Sequence, residues 1–118
     1  MTTWEFQISL NREPSDEEYD RLVEAGMGDC ALVRGDSACL RCDREAATLI
    51  EAITSVLLQI RTVDGLWGTG VGRADGAAPG DTALDRTLAL ADQAVRLAGR
   101  ARTQARRDLT GGPTTLNR

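Results

Sequence analysis

Trp4-Glu5-Phe6-Gln7-Ile8-Ser9-Leu10, followed by Pro14-Ser15-Asp16-Glu17-Glu18, is the stretch on which the fold turns. In the first part apolar Trp4, Phe6, Ile8 and Leu10 alternate with polar Glu5, Gln7 and Ser9. That two-residue period belongs to a strand with one buried face. In the second part Ser15 precedes Glu18 by three residues, the spacing of a capping box that opens a helix. Tyr19, Leu22 and Val23 supply the apolar stripe of that helix, and Gly26 or Gly28 is placed to end it. A strand handing over directly to an amphipathic helix announces a mixed α and β protein.

Working outward, Cys30–Val33 and Ala38–Cys42 read as two short strands joined by Arg34-Gly35-Asp36-Ser37, a hairpin loop. The Arg-Gly-Asp triplet is read simply as that turn. Asp43 is expected to cap a second helix, with Leu49, Ile50, Ile53, Val56, Leu57 and Ile60 at helical spacing. Asp64-Gly65 would end it, and residues 66–71 form a last strand weakened by Gly68 and Gly70. The order β-α-β-β-α-β predicts an α+β, ferredoxin-like sandwich over residues 1–71, with two helices on one face of an antiparallel sheet. Residues 72–82 read as a linker. Residues 83–110 form a basic helical segment, and 111–118 are expected to be a disordered tail.

Charge divides the chain the same way. Residues 1–83 hold 15 acids and 7 arginines, a net −8; residues 84–118 hold 3 acids and 7 arginines, a net +4. Such asymmetry points to an interaction segment or a nucleic-acid contact. All 14 basic side chains are arginine. No apolar run reaches the roughly 20 residues that a membrane-spanning helix needs. The start of the chain lacks the features of a secretion signal, and the three cysteines fit a reducing compartment. A cytoplasmic location without membrane contact is the expectation.

The residues weigh against an enzyme. The 118 residues contain no histidine, which removes the commonest general base and metal ligand. Cys39-Leu40-Arg41-Cys42 has a metal-ligand spacing, but no second such pair exists. In a strand its two thiols would point to opposite faces, so packed thiols are expected and no metal. Asp16, Glu17, Glu18, Asp20 and Glu24 decorate a solvated helix face. Gly65–Gly72 has neither the spacing of a dinucleotide loop nor the lysine of a P-loop. No catalytic residue and no cofactor are assigned.

Two forms of the basic segment stay open. As one long helix, Leu84, Leu88, Ala91, Val95, Ala98, Ala105 and Leu109 make a shallow 4-3 seam, interrupted by Arg102, for docking on a partner protein or a second copy. Alternatively Gly99 divides it into two helices. In that form residues 97–113, with Gly99, Arg100, Arg102 and Arg106 followed by Gly112-Pro113, resemble the helix-turn-helix of small bacterial DNA-binding regulators. The resemblance implies transcription regulation, with Arg102, Thr103, Gln104 and Arg106 facing the major groove and Arg96, Arg100 and Arg107 on phosphates. Val95, Ala101 and Asp108 depart from the motif. DNA or a protein, with a possible homo-oligomer, are therefore the expected partners.

Overall fold

The computed structural model describes residues 1–35, 37–78 and 80–110, with side chains described as far as Ala101. Its elements run β1 (Thr2–Leu10), α1 (Asp16–Leu22), β2 (Cys30–Val33), β3 (Cys39–Ala46), α2 (Leu49–Ile60), β4 (Gly68–Gly72) and α3 (Ala83–Thr110). The result is an α+β protein: a four-stranded antiparallel sheet in the order β2-β3-β1-β4, accompanied by three helices. No helix among the described residues is long and apolar enough to cross a membrane.

β1 behaves as its alternation demands. Phe6, Ile8 and Leu10 are buried against the helices, while Glu5 is exposed on the opposite face. Cys30, Leu40 and Cys42 join the same core, as do Leu22 from α1 and Ala52, Ile53, Val56 and Ile60 from α2. Helix α1 opens with the expected capping box: Ser15 accepts from the Glu18 amide at 3.2 Å, and Glu18 accepts from the Ser15 amide at 2.9 Å. Arg12 grips the same carboxylate at 2.7 and 2.8 Å. That guanidinium first, then the Ser15 amide, pulls Glu18 down to about 2. The helix then widens over Val23–Met27, where Gly26 adopts φ 108°, a conformation that favours glycine.

Two expectations are corrected. Asp43 does not cap α2, because β3 continues through it to Ala46 and Thr48 accepts from the Glu51 amide at 3.1 Å instead. The alternation that carries the strand onward places Ala46 in the core beside Leu40 and Cys42, and Trp4 Nε1 donates to the Ala46 carbonyl at 3.0 Å. The last strand is Gly68–Gly72 instead of residues 66–71, and its glycines make room for neighbours. A Cβ on Gly68 would sit 2.6 Å from Leu57 Cδ2 and 3.0 Å from Ile8 Cγ2. Glycine here permits close approach of α2.

The polypeptide from β4 to α3 is tied down by Arg73, which pairs with Asp75 at 2.9 Å and with the buried Asp85 at 3.4 Å. Asp36 of the hairpin loop, Pro79 of the linker and the tail expected at residues 111–118 lie outside the described residues.

Candidate docking surface on α2 and α3

Helix α3 is continuous over 28 residues, about 42 Å at 1.5 Å per residue. Thr82 starts it by accepting from the Asp85 amide at 3.0 Å. Gly99 lies within it and is not one of the glycines with positive φ. A glycine in a helix costs about 1 kcal/mol relative to alanine. Flanking Ala98 and Ala101 are good helix formers, and no turn forms at Ala98-Gly99-Arg100.

The inner face of α3 packs on its own body. Leu88 and Ala91 are buried, and Val95 packs against the same core. This uses the first half of the 4-3 seam in cis, against the edge of β4 and the flank of α2. The contact also solves a problem of sheet chemistry. β4 is an edge strand, and an edge offers unpaired amides to other chains. Asp92 reaches across so that the Val71 amide donates to its Oδ1 at 2.8 Å, while Arg96 Nε holds Oδ2 at 2.9 Å. A Cβ on Gly70 would lie 3.0 Å from that Asp92 oxygen. Buried Asp85 anchors the start of the helix. The Thr82 hydroxyl, the Gly80 amide and Arg73 hold its carboxyl below the ordinary range, against the opposing effect of burial.

The outer face is a second apolar stripe. Leu90, Ala94, Leu97 and Ala101 recur at spacings of four and three, and all are exposed. Leu90 is 66% and Leu97 59% exposed. Neighbouring α2 contributes Ile50 and Leu58, exposed at 49% and 64%. Between the two helices lie two hollows. One, of about 560 Å³, has Ile50, Leu84 and Thr87 in its wall. The other, of about 240 Å³, has Leu57, Leu58, Val95 and Ala98. Of seven exposed large hydrophobic residues among those described, five stand on α2 and α3. The outer stripe was readable in the sequence as Leu90 and Leu97, seven residues apart. It is hidden by the inner seam, because both run along one helix with nearly the same period.

The residues assigned to DNA fall into three groups. Arg96 is engaged with Asp92, beside Gly70 of β4. Arg100 is exposed on α3. The side chains of Arg102, Thr103, Gln104, Arg106 and Arg107 lie outside the described residues, although the backbone there is helical.

The cysteines divide as strand geometry requires. Cys39 is half-buried on one face of β3 and Cys42 fully buried on the other. Cys42 faces Cys30 across the β2–β3 pair, with Sγ–Sγ 2.9 Å. The neighbouring Cys30 thiol, together with burial, raises the Cys42 thiol far above its ordinary value. Such a thiol is a poor nucleophile. No group of three or more metal-ligating side chains occurs among the described residues. Close by, Arg44 clamps Asp29 through two hydrogen bonds of 2.6 and 2.9 Å and reaches Ser55 of α2 at 3.0 Å. Those bonds lock β3, α2 and the entry to β2 together. The chain matches no known protein family, no curated protein and no solved structure.

Proposed function

We propose that this protein is a non-enzymatic interaction module that docks a partner on the outer face of α3 and the adjoining flank of α2. One observation carries the reading: five large aliphatic side chains stand exposed on two adjacent helices, Ile50, Leu84 and Leu58 lining the hollows between them and Leu90 and Leu97 following along the outer face of α3. Contiguous exposed apolar surface of this kind marks interaction sites, whereas scattered single residues do not. In this reading the sheet and the inner face of α3 form the scaffold that presents the surface.

The scaffold is read as ferredoxin-like. In its support, β1 and β2 each run antiparallel to β3, which lies between them, and β4 flanks β1 on the other side. Two strands parallel to each other with a third between them is the split βαβ pattern. Helix α3 is then an addition that covers the β4 edge. A cytoplasmic location accords with the three unpaired cysteines.

The other reading, a DNA-binding transcription regulator, draws support from the basic character of residues 84–118. A helix-turn-helix would need a turn at Ala98-Gly99-Arg100, where the chain is helical. The two readings separate in one pair of experiments. A photo-crosslinking amino acid at position 97 should trap a protein partner in cells, the same group at position 43 on the open sheet face should not, and Leu90→Glu should abolish the adduct. Equal adducts from both positions, or none, would sink the docking reading. Tight, salt-sensitive binding of a labelled random duplex would favour DNA instead.

A further inference from the structure

Resting on that reading, we infer that the partner element is an acidic amphipathic helix, lying along the apolar stripe of α3. The argument comes from the charges that border the stripe. Arg86, Gln93 and Arg100 are spaced seven apart on α3. On a helix surface that spacing forms a row along one flank of Leu90, Ala94 and Leu97. All three are exposed. Arg61 adds a third exposed cation at the C-terminal end of α2, in the wall of the hollow that also holds Leu58 and Ala98.

None of these three arginines has an acidic partner among the described residues. The acids of α3 nearest to them are already committed, Asp85 to Arg73 and Asp92 to Arg96. Glu51 is exposed on α2, seven residues before Leu58, and pairs with no arginine among the described residues. An apolar seam flanked by unpaired cations is what the e and g positions of a helix pair look like when their complement is on the other chain. A helix with leucine at 4-3 spacing and glutamate on the facing flank would satisfy both the seam and the row.

The same row argues against a second copy as the occupant. Two α3 helices packed antiparallel about Gln93 would bring Arg86 of one copy against Arg100 of the other, and like charges across a helix pair repel. A parallel pair would set the row against Ala91 and Ala98, which offer no negative charge. Electrostatic matching of this kind selects partners more than it strengthens them. The expected complex is therefore salt-sensitive and sensitive to the sign of the flanking charge.

The test uses the full-length protein and two labelled helical peptides of about three heptads. They carry the same leucine and alanine seam, with glutamate flanks in one and lysine flanks in the other, and are followed by fluorescence anisotropy. The glutamate peptide should bind and the lysine peptide should not. R86E/R100E, with both changes at exposed sites, should weaken the glutamate peptide about tenfold or more and restore binding of the lysine peptide. L90S/L97S should abolish binding of the glutamate peptide while leaving the circular dichroism unchanged. Equal binding of the two peptides, or binding of neither, overturns the inference. If neither binds but the adduct at position 97 persists, the partner's chemistry is wrong and the docking surface stands. Loss of the adduct as well removes both. A micromolar dimer in sedimentation that Leu97→Glu dissociates would also overturn the inference and assign the face to a second copy.

Discussion

The two faces of α3 are made of the same kinds of residue and do different work. Leu88 on the inner face is 1% exposed, whereas Leu90, two positions on, is 66% exposed. The inner face meets a strand edge and the flank of α2; the outer face meets solvent. Hydrophobic residues in a helix therefore do not declare by type whether they belong to the fold or to an interface. What distinguishes them is whether the body of the same chain reaches them.

The sharpest way to break this comparison is to truncate one leucine on each face. Leu88→Ala removes a fully buried side chain and should cost about 2–5 kcal/mol in urea unfolding. Leu90→Ala should stay within about 0.5 kcal/mol of the parent protein, as substitutions at exposed sites usually do. Equal losses would mean that the outer stripe is part of the core, and the docking surface would have to be abandoned.

A smaller effect is expected where α3 covers the sheet edge. Asp92→Ala leaves the Val71 amide without its carboxylate acceptor, and Val71 is 6% exposed. Such a loss should cost about 1–3 kcal/mol. It should also speed amide hydrogen exchange at Val71 while leaving exchange in β1 unchanged. If Val71 exchanges at the parent rate, the edge is protected by packing alone.

The smallest effect concerns acid. The Asp85 carboxyl is held below its ordinary value in the folded chain, so ionised Asp85 favours the folded state. Its contribution is complete above the unfolded pKa, about 3.9, and is lost as pH falls through the lower folded value. Asp85→Asn should therefore lower stability at neutral pH and flatten its dependence on pH below about 4. An unchanged slope in that range would show that the anchor of α3 works through shape, not charge. Glu18 is displaced in the same direction, to about 2, and supplies a background slope that the variant leaves in place.

Local signals were legible where one residue's neighbours in sequence are also its neighbours in space. Ser15 and Glu18 form their capping box within a single turn, and the alternation of β1 is repeated in its burial. The hairpin partner Cys30 was readable as lying beside the Cys39–Cys42 strand, and the register sets it opposite Cys42. Legibility ended where a short pattern had two solutions. Asp43 is a good capping residue, yet Thr48 takes that role because β3 gains a buried Ala46 by continuing. Gly68 and Gly70 look like weak points in a strand until Leu57 and Asp92 are seen above them. The candidate surface was half legible. The 4-3 seam of α3 was visible, but its target was not, and Leu90 and Leu97 were not read as a second stripe.

What the sequence by itself determined is the class of protein: mixed strand and helix, without histidine, with 15 of its 18 acids in residues 1–83 and a net positive charge over residues 84–118. Those properties follow from composition, from periods of two and 3.6, and from capping residues, all of which act over a few positions. The tertiary structure alone decided which side of α3 became core. Burial depends on what lies within about 4 Å in space. Only the folded sheet, with its glycine strand and open edge, supplies the surface that takes Leu88 inward and leaves Leu90 and Leu97 facing out.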